Sequence, residues 1–268
     1  MDNQFMDIFK LDKEGLKNLR PEDVMRKISI EEFFHILKTL NNLWFYDREA
    51  LKNGKVGYHA ILKSELCSDG FVNLKGVLKQ YPNIRKIMAY QLKWMILERV
   101  DKGMKMPTHL AGVPDAATEL GEDLAEILGI KLARVAKTTE GHIVFLTKLN
   151  KNESLLLVED ICSKATGITE TINDATECGM VDASAIIKVE IVLLNRGGLK
   201  SFIVDGYEYE VLSAFEHRIR EYMPPGATDD LRNKYPDTPP CPLCALGVPR
   251  DKPKKTEESW TRITTAQL

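Results

Sequence analysis

LLLVEDICSKATGITETINDA, residues 155–175, is the stretch whose reading decides the fold. Leu155 to Val158 form an apolar run of the length of a fully buried parallel strand, and the run ends on two adjacent carboxylates, Glu159 and Asp160. The residues from Cys162 to Gly167 are small and polar and lead directly into a helical pattern near 168–178. In an open α/β sheet, ligands bind at the carboxyl ends of the strands. Backbone N–H groups at the start of a helix, together with the helix dipole, suit an anion, so a phosphate fits this turn. The paired acids then have partners in the vicinal hydroxyls of a sugar or in a bridging Mg²⁺. The alternative is an acid pair that simply caps the following helix.

Outward from this stretch, strands and helices continue to alternate. A turn at THLAGVP precedes a helix near 115–128, a short strand at 131–136, an extended segment at 141–149 and, past the central stretch, a strand at 185–194. That order predicts an α/β fold, a central, mostly parallel sheet covered by helices. Upstream, Ser29 and Glu32 form a capping box, and Ile30, Phe33, Phe34, Leu37 and Leu40 follow helical spacing, so the aromatic residues read as core. Pro82 opens a packed helix to about residue 102, and YHAILKSELCSDGFVNLKGVL reads as a strand pair turning at Ser68, Asp69 and Gly70. Beyond Pro224 the chain is rich in Pro, Asp and Lys and reads as a mostly irregular surface tail. The expected division is an extension over 1–28, a main domain over 29–225 and a tail over 226–268.

The 268 residues carry 37 Lys+Arg against 39 Asp+Glu, a formal net charge of -2, which argues against broad nucleic-acid binding but leaves room for a local phosphate pocket. No stretch has the roughly 20 apolar residues of a membrane span, and the acidic start MDNQFMDIFKLDKEG has no apolar signal core, so a cytoplasmic protein is expected. Five cysteines, an odd number, fit reduced thiols. Cys241 and Cys244 form half of a four-ligand metal set whose other half is not evident from spacing. A reduced pair in a Pro-rich tail is the alternative.

LLLVEDICSKATG resembles the phosphoribosyl diphosphate (PRPP) signature of the type I phosphoribosyltransferases, and four further segments resemble the orotate phosphoribosyltransferases in their longer form. These are LKSELCSDGFVNLKGVL, like the base-site hairpin; THLAGVPDAATELGEDLA, like the diphosphate turn and helix; LLNRGG, like the strand end before Arg-Gly-Gly; and CPLCALGVPRDKP, like the C-terminal tail. They occur in the family's order over about residues 45–253. The resemblance implies a type I phosphoribosyltransferase fold with a small hood formed by N-terminal segments, and an activity joining orotate to the 5-phosphoribosyl group of PRPP, with Mg²⁺ held mainly by PRPP and water. A homodimer is implied too. Carried over by position, Glu159 and Asp160 hold the ribose hydroxyls, and Ser163, Lys164, Ala165, Thr166 and Gly167 receive the 5-phosphate. Ala111, Gly112 and Val113 approach the diphosphate, where Lys137 contacts it and His142 rides on a closing loop within 138–152. Phe71 packs on the orotate ring and Arg196 meets its carboxylate, for which a planar guanidinium is suited.

The chain also departs from the family pattern. Ala165 stands in a loop that is usually richer in glycine, and its β-carbon is costly if the position requires φ > 0. Cys67, Ala111 and Glu140 occupy positions where basic residues are common, which leaves Lys63, Lys75 and Lys148 as candidate replacements. A phosphoribosyltransferase for another base and a PRPP-binding paralogue without turnover therefore remain open alternatives.

Overall fold

The computed structural model describes residues 6–114, 116–254 and 256–268. Asp115, in the expected diphosphate turn and helix, and residues 1–5 of the expected extension lie outside the described residues. The chain forms two compact units, one from residues 1–41 and 73–218 and one from 42–72 and 219–268. This division differs from the expected extension, domain and tail.

The first unit is built on a six-stranded sheet in the order Ser201–Val204, Tyr207–Glu216, Ile186–Asn195, Leu155–Cys162, His109–Gly112 and Lys131–Leu132. Every neighbouring pair is parallel except the edge pair Ser201–Val204 with Tyr207–Glu216. The α/β class is therefore as expected. Leu155–Cys162 is flanked on both sides, which explains its unbroken apolar start: a parallel strand with helices on both faces has no wet side. Leu155 and Leu157 pack with Ile168 and Ile172 of the Thr166–Glu177 helix. The alternate residues Leu156 and Val158 are fully buried outside that cluster, on the face that carries Leu74–Gln80, Pro82–Asp101 and Thr118–Leu128.

Local signals place most of these elements. The Ser29 hydroxyl accepts from the Glu32 amide at 3.1 Å while Glu32 accepts from the Ser29 amide at 2.8 Å, starting Ile30–Thr39 as the capping box predicts. Pro82 sits in the first turn of Pro82–Asp101. Residues of the expected extension pack into this unit, with Ile8 and Leu16 fully buried and Asn83 Nδ2 donating to the carbonyls of Leu16 and Leu19. The strand expected over 131–136 is two strands, Lys131–Leu132 and Val135–Lys137, the second of which pairs with Ile143–Phe145.

The second unit has a four-stranded sheet in the order Glu221–Tyr222, Cys67–Ser68, His59–Ile61 and Arg250–Asp251, and a ribbon of Leu43–Phe45 against Gly70–Val72. The expected turn is displaced. His59–Ile61 and Cys67–Ser68 close through Lys63–Leu66, where Glu65 takes φ +65, and Ser68–Gly70 is a kink that passes the chain to the ribbon. The expectation of an irregular tail is overturned. Residues 226–268 contain the helices Asp229–Lys234, Pro242–Ala245 and Glu257–Thr265, and they add Leu243, Trp260 and Ile263 to the core of this unit. Composition misled because the apolar residues are few; Trp260 and Ile263 lie three apart on one short helix that Thr256 caps through Ser259. Trp260→Ala is expected to cost about 3–5 kcal/mol of stability, read from the urea midpoint. A midpoint like that of the wild type would mean that this helix contributes nothing to the core.

Candidate functional site

The carboxyl end of Leu155–Cys162 brings together, within the first unit, most of the residues assigned to the sugar phosphate. The chain leaves the strand at Cys162, whose carbonyl accepts from the amides of Arg196 at 2.9 Å and Gly197 at 3.2 Å. The bend after one strand is thus fastened to the end of its neighbour, Ile186–Asn195. Arg196 Nη2 also reaches Ser163 Oγ at 3.5 Å. The approach is so close that a β-carbon at Gly197 would lie 2.1 Å from the Ser163 carbonyl oxygen. Ala165 then takes φ +54, ψ +24, a left-handed conformation, as the residue that starts Thr166–Glu177. This is the costly case: an L-residue there stores about 1–2 kcal/mol. The helix that follows directs its leading amides, which have no acceptor within the helix, toward the bend. Lys164 and Thr166 are exposed at its mouth.

The two acids part company. Strand residues alternate between faces, and Glu159 turns toward Thr166–Glu177, where Gly167 leaves room for it; a β-carbon on Gly167 would meet Glu159 Oε1 at 2.8 Å. There it faces the fully buried Glu190, with one carboxylate oxygen of each within 4.8 Å of the other and of Cys162 Sγ. Burial first, then the Glu190 charge, pushes the Glu159 carboxyl well up, and burial lifts Glu190 to about 7. Two ionised carboxylates would leave three buried oxygens without donors. One proton held between them gives each a partner. Cys162, also buried, is pushed up to about 12 by burial and by the same two acids. Glu190 and its pairing with Glu159 had no signal in the sequence beyond a lone acid inside an apolar strand.

Asp160 faces the other way and stays partly exposed. Burial raises its carboxyl to about 6 against the pull of its own and the Ile161 amides, Arg196 and Lys75. Of the three lysines considered as replacements for missing basic groups, Lys75 is the one whose charge acts on this acid, from the start of Leu74–Gln80. Lys148 is exposed, and Lys63 belongs to the second unit.

The expected diphosphate loop leaves the adjacent strand end. Gly112 is indispensable to its path, because a β-carbon there would lie 1.9 Å from the Ala117 carbonyl oxygen. Ala111 and Val113 are core residues packed with Leu157, so any part they take is through the backbone. Lys137 is exposed at the end of Val135–Lys137, paired with Ile143. His142, exposed beside Glu140, lies at the tip of the hairpin, where the Thr138 amide donates to the His142 carbonyl and Gly141 takes φ +94. Of the segment 138–152 expected to close as a lid, residues 138–142 and 150–152 are exposed. Ile143, Phe145 and Leu149 are buried, and the Phe145 amide donates to Asp174 at 2.6 Å. Phe71 lies in the second unit, edge-on to Trp260 at 5.8 Å between ring centroids. A cavity of about 1000 Å³ lined by Lys105, Asn150, Ser154 and Asp182 opens at the amino ends of the strands, the end opposite the acids. Among the described residues no helix is long and apolar enough to cross a membrane.

Neither a protein-family model nor a curated protein matches the chain. Among solved structures it is similar to UMP synthase of Leishmania donovani, at 19% identity and a TM-score of 0.46 over 63% of this chain and 35% of that one. It is similar to the orotate phosphoribosyltransferase of Francisella tularensis at 15% identity and 0.45, over 71% and 84% of the two chains. For the adenine phosphoribosyltransferase of Trypanosoma brucei, in complex with AMP, pyrophosphate and ribose-5-phosphate, the values are 13% and 0.42, over 62% and 79%. The chain thus spans about a third of the length of the UMP synthase.

Two outcomes are expected at this site. A carboxyl whose folded pKa is raised adds stability in full below its unfolded value and loses it as pH rises through the folded one, here from about 4.5 to about 7 for Glu190. Glu190→Gln should match the wild type in urea at pH 4 and exceed it by about 1–3 kcal/mol at pH 8; equal midpoints at pH 8 would show that no proton is held there. Gly197→Ala should cost about 1–3 kcal/mol by forcing the Ser163 bend away, which thermal melting would register.

Proposed function

We propose that the chain is a phosphoribosyltransferase that transfers the 5-phosphoribosyl group of PRPP to orotate, giving orotidine 5-phosphate and diphosphate. The observation that carries the reading is the bend 163–167 at the carboxyl end of the central strand, beside a partly exposed Asp160 that two cations face. A sugar phosphate has hydroxyls for such a carboxylate and an anion for such a bend. The motif order quoted from the sequence supports the same assignment.

In this reading the amides from Ser163 to Gly167 hold the 5-phosphate, with Lys164 and Thr166 at its edge. Asp160 accepts hydrogen bonds from the ribose hydroxyls. The backbone at Ala111 and Gly112 passes close to the diphosphate. Orotate N1 displaces diphosphate at the anomeric carbon, so positive charge grows on the ribose ring and negative charge on the leaving group. Asp160 favours the first, and Lys137 and the amides of Ala116 and Ala117 favour the second. In this reading His142, on the hairpin tip, keeps water from the ribosyl centre when that tip closes. Arg196 offers its fork to the orotate carboxylate. Asp160 keeps hard oxygen atoms at the mouth, which fit a hydrated Mg²⁺ brought in on the diphosphate; when bound, that ion neutralises the leaving group. A cytoplasmic homodimer completes the proposal.

Two features favour a second reading, a PRPP-binding protein without turnover. Glu159 is engaged with Glu190 rather than offered beside Asp160, and Ala165 strains the phosphate bend. An orotate absorbance assay with PRPP, with and without Mg²⁺, separates the two when paired with PRPP titration calorimetry. Turnover is expected, and kcat/KM should rise as pH passes about 6 and Asp160 ionises. Asp160→Asn should lose at least about 100-fold in kcat/KM and that rise with it, leaving only the titration of PRPP itself. Binding without turnover selects the second reading, turnover of another base replaces orotate, and neither binding nor turnover removes both.

A further inference from the structure

Within the second unit, His59, Cys67, Cys241 and Cys244 each direct one ligand atom to a common centre, and these four atoms all lie within 4.8 Å of one another. His59 and Cys67 come from the strands His59–Ile61 and Cys67–Ser68, and the other two from the Cys-Pro-Leu-Cys turn some 180 residues later in the chain. Cys67 Sγ is 3.7 Å from Cys244 Sγ, and His59 Nε2 is 3.5 Å from Cys241 Sγ and 3.4 Å from Cys244 Sγ. A tetrahedron with metal–sulfur bonds of about 2.3 Å and metal–nitrogen bonds of about 2.0–2.1 Å has edges of about 3.8 Å between sulfurs and about 3.6 Å between sulfur and nitrogen. These three separations match such edges to within about 0.2 Å. A disulfide would need sulfurs about 2.05 Å apart.

We propose that these four side chains are the ligands of a tetrahedral structural Zn²⁺ site. Three sulfurs and one imidazole nitrogen are soft and intermediate donors, the set that selects zinc over Mg²⁺ or Ca²⁺. His59 and Cys67 are fully buried, Cys241 is nearly so and Cys244 is partly covered, so the four donors close the coordination sphere and leave no open position for a substrate. The backbone supports the sulfurs. Cys241 starts the short helix Pro242–Ala245, and the Cys244 amide donates to Cys241 Sγ at 3.5 Å. Gly247 at φ +74 lets the chain turn back beneath the pair, with its amide donating to the Cys244 carbonyl. His59 is held by its strand with Nε2 toward the sulfurs, while Nδ1 has no partner among the described residues. Among the described residues the polar contacts of this buried ring are thus with the sulfur cluster.

The site has a structural task. The second unit consists of two chain segments joined by strands of only two or three residues. An ion taking two ligands from each segment ties them together where so small a core is weak. The inference is independent of the phosphoribosyl reading.

Metal analysis of the full-length protein, purified without chelator, is expected to find about one zinc per chain. After exchange, Co²⁺ should give the intense visible bands of tetrahedral cobalt and a sulfur-to-cobalt charge-transfer band. Cys241→Ser and Cys244→Ser should each lose at least tenfold in bound metal, whereas Cys178→Ser, at an exposed cysteine outside the cluster, should keep it. Wild-type protein that carries no zinc and gives no tetrahedral cobalt spectrum overturns the proposal whether or not the variants fold. So does metal retained by a folded Cys241→Ser protein, or a Cys67–Cys244 disulfide in the freshly purified wild type.

Discussion

The pleat of a single strand is the constraint on which the candidate site depends. Successive residues of Leu155–Cys162 point to opposite sides of the sheet, so two neighbouring acids cannot share one environment. Glu159 is delivered under a helix to Glu190, and Asp160 to Lys75 and Arg196. The same sheet then fixes how little space remains between the strand end and the first turn of Thr166–Glu177. Gly167 and Gly197 supply the clearance, and Ala165 absorbs what is left as a left-handed backbone.

These features are mutually costly and occur together. A buried carboxyl pair opposes folding near neutral pH, and an alanine at φ +54 adds strain within a few residues of it. Ordinary packing would replace both. These local costs are concentrated at the mouth of the parallel sheet, while the rest of the unit obeys simple rules of patterning and capping.

The sheet was legible because its signals are local. An unbroken apolar run, a capping box and a first-turn proline each report on a few adjacent residues, and Leu155–Cys162, Ile30–Thr39 and Pro82–Asp101 formed where they were expected. The hairpin Ser201–Val204 with Tyr207–Glu216 turns at Asp205–Gly206, both at positive φ, and that Asp-Gly pair is likewise a local signal. Two things were not legible. The pairing of Glu159 with Glu190 depends on register between strands thirty residues apart. The fold of 226–268 depends on partners at 42–72, and a Pro-rich composition says nothing about partners supplied from elsewhere. Of the site residues, those in the 159–167 and 196–197 segments meet at one strand end, while Phe71, Lys137 and His142 were placed by resemblance alone.

The order in which the two units are threaded has its own effect during synthesis. Residues 42–72 leave the ribosome before 73–218, but the strands and helix that complete their core come only from 219–268. At about 5–20 residues per second, Trp44, Leu62 and Cys67 wait on the order of ten seconds for their partners while the whole of 73–218 is made. For that interval a nascent polypeptide displays unmatched strand edges and apolar side chains, so its yield in a cell should depend on chaperone capacity more than the finished fold would suggest.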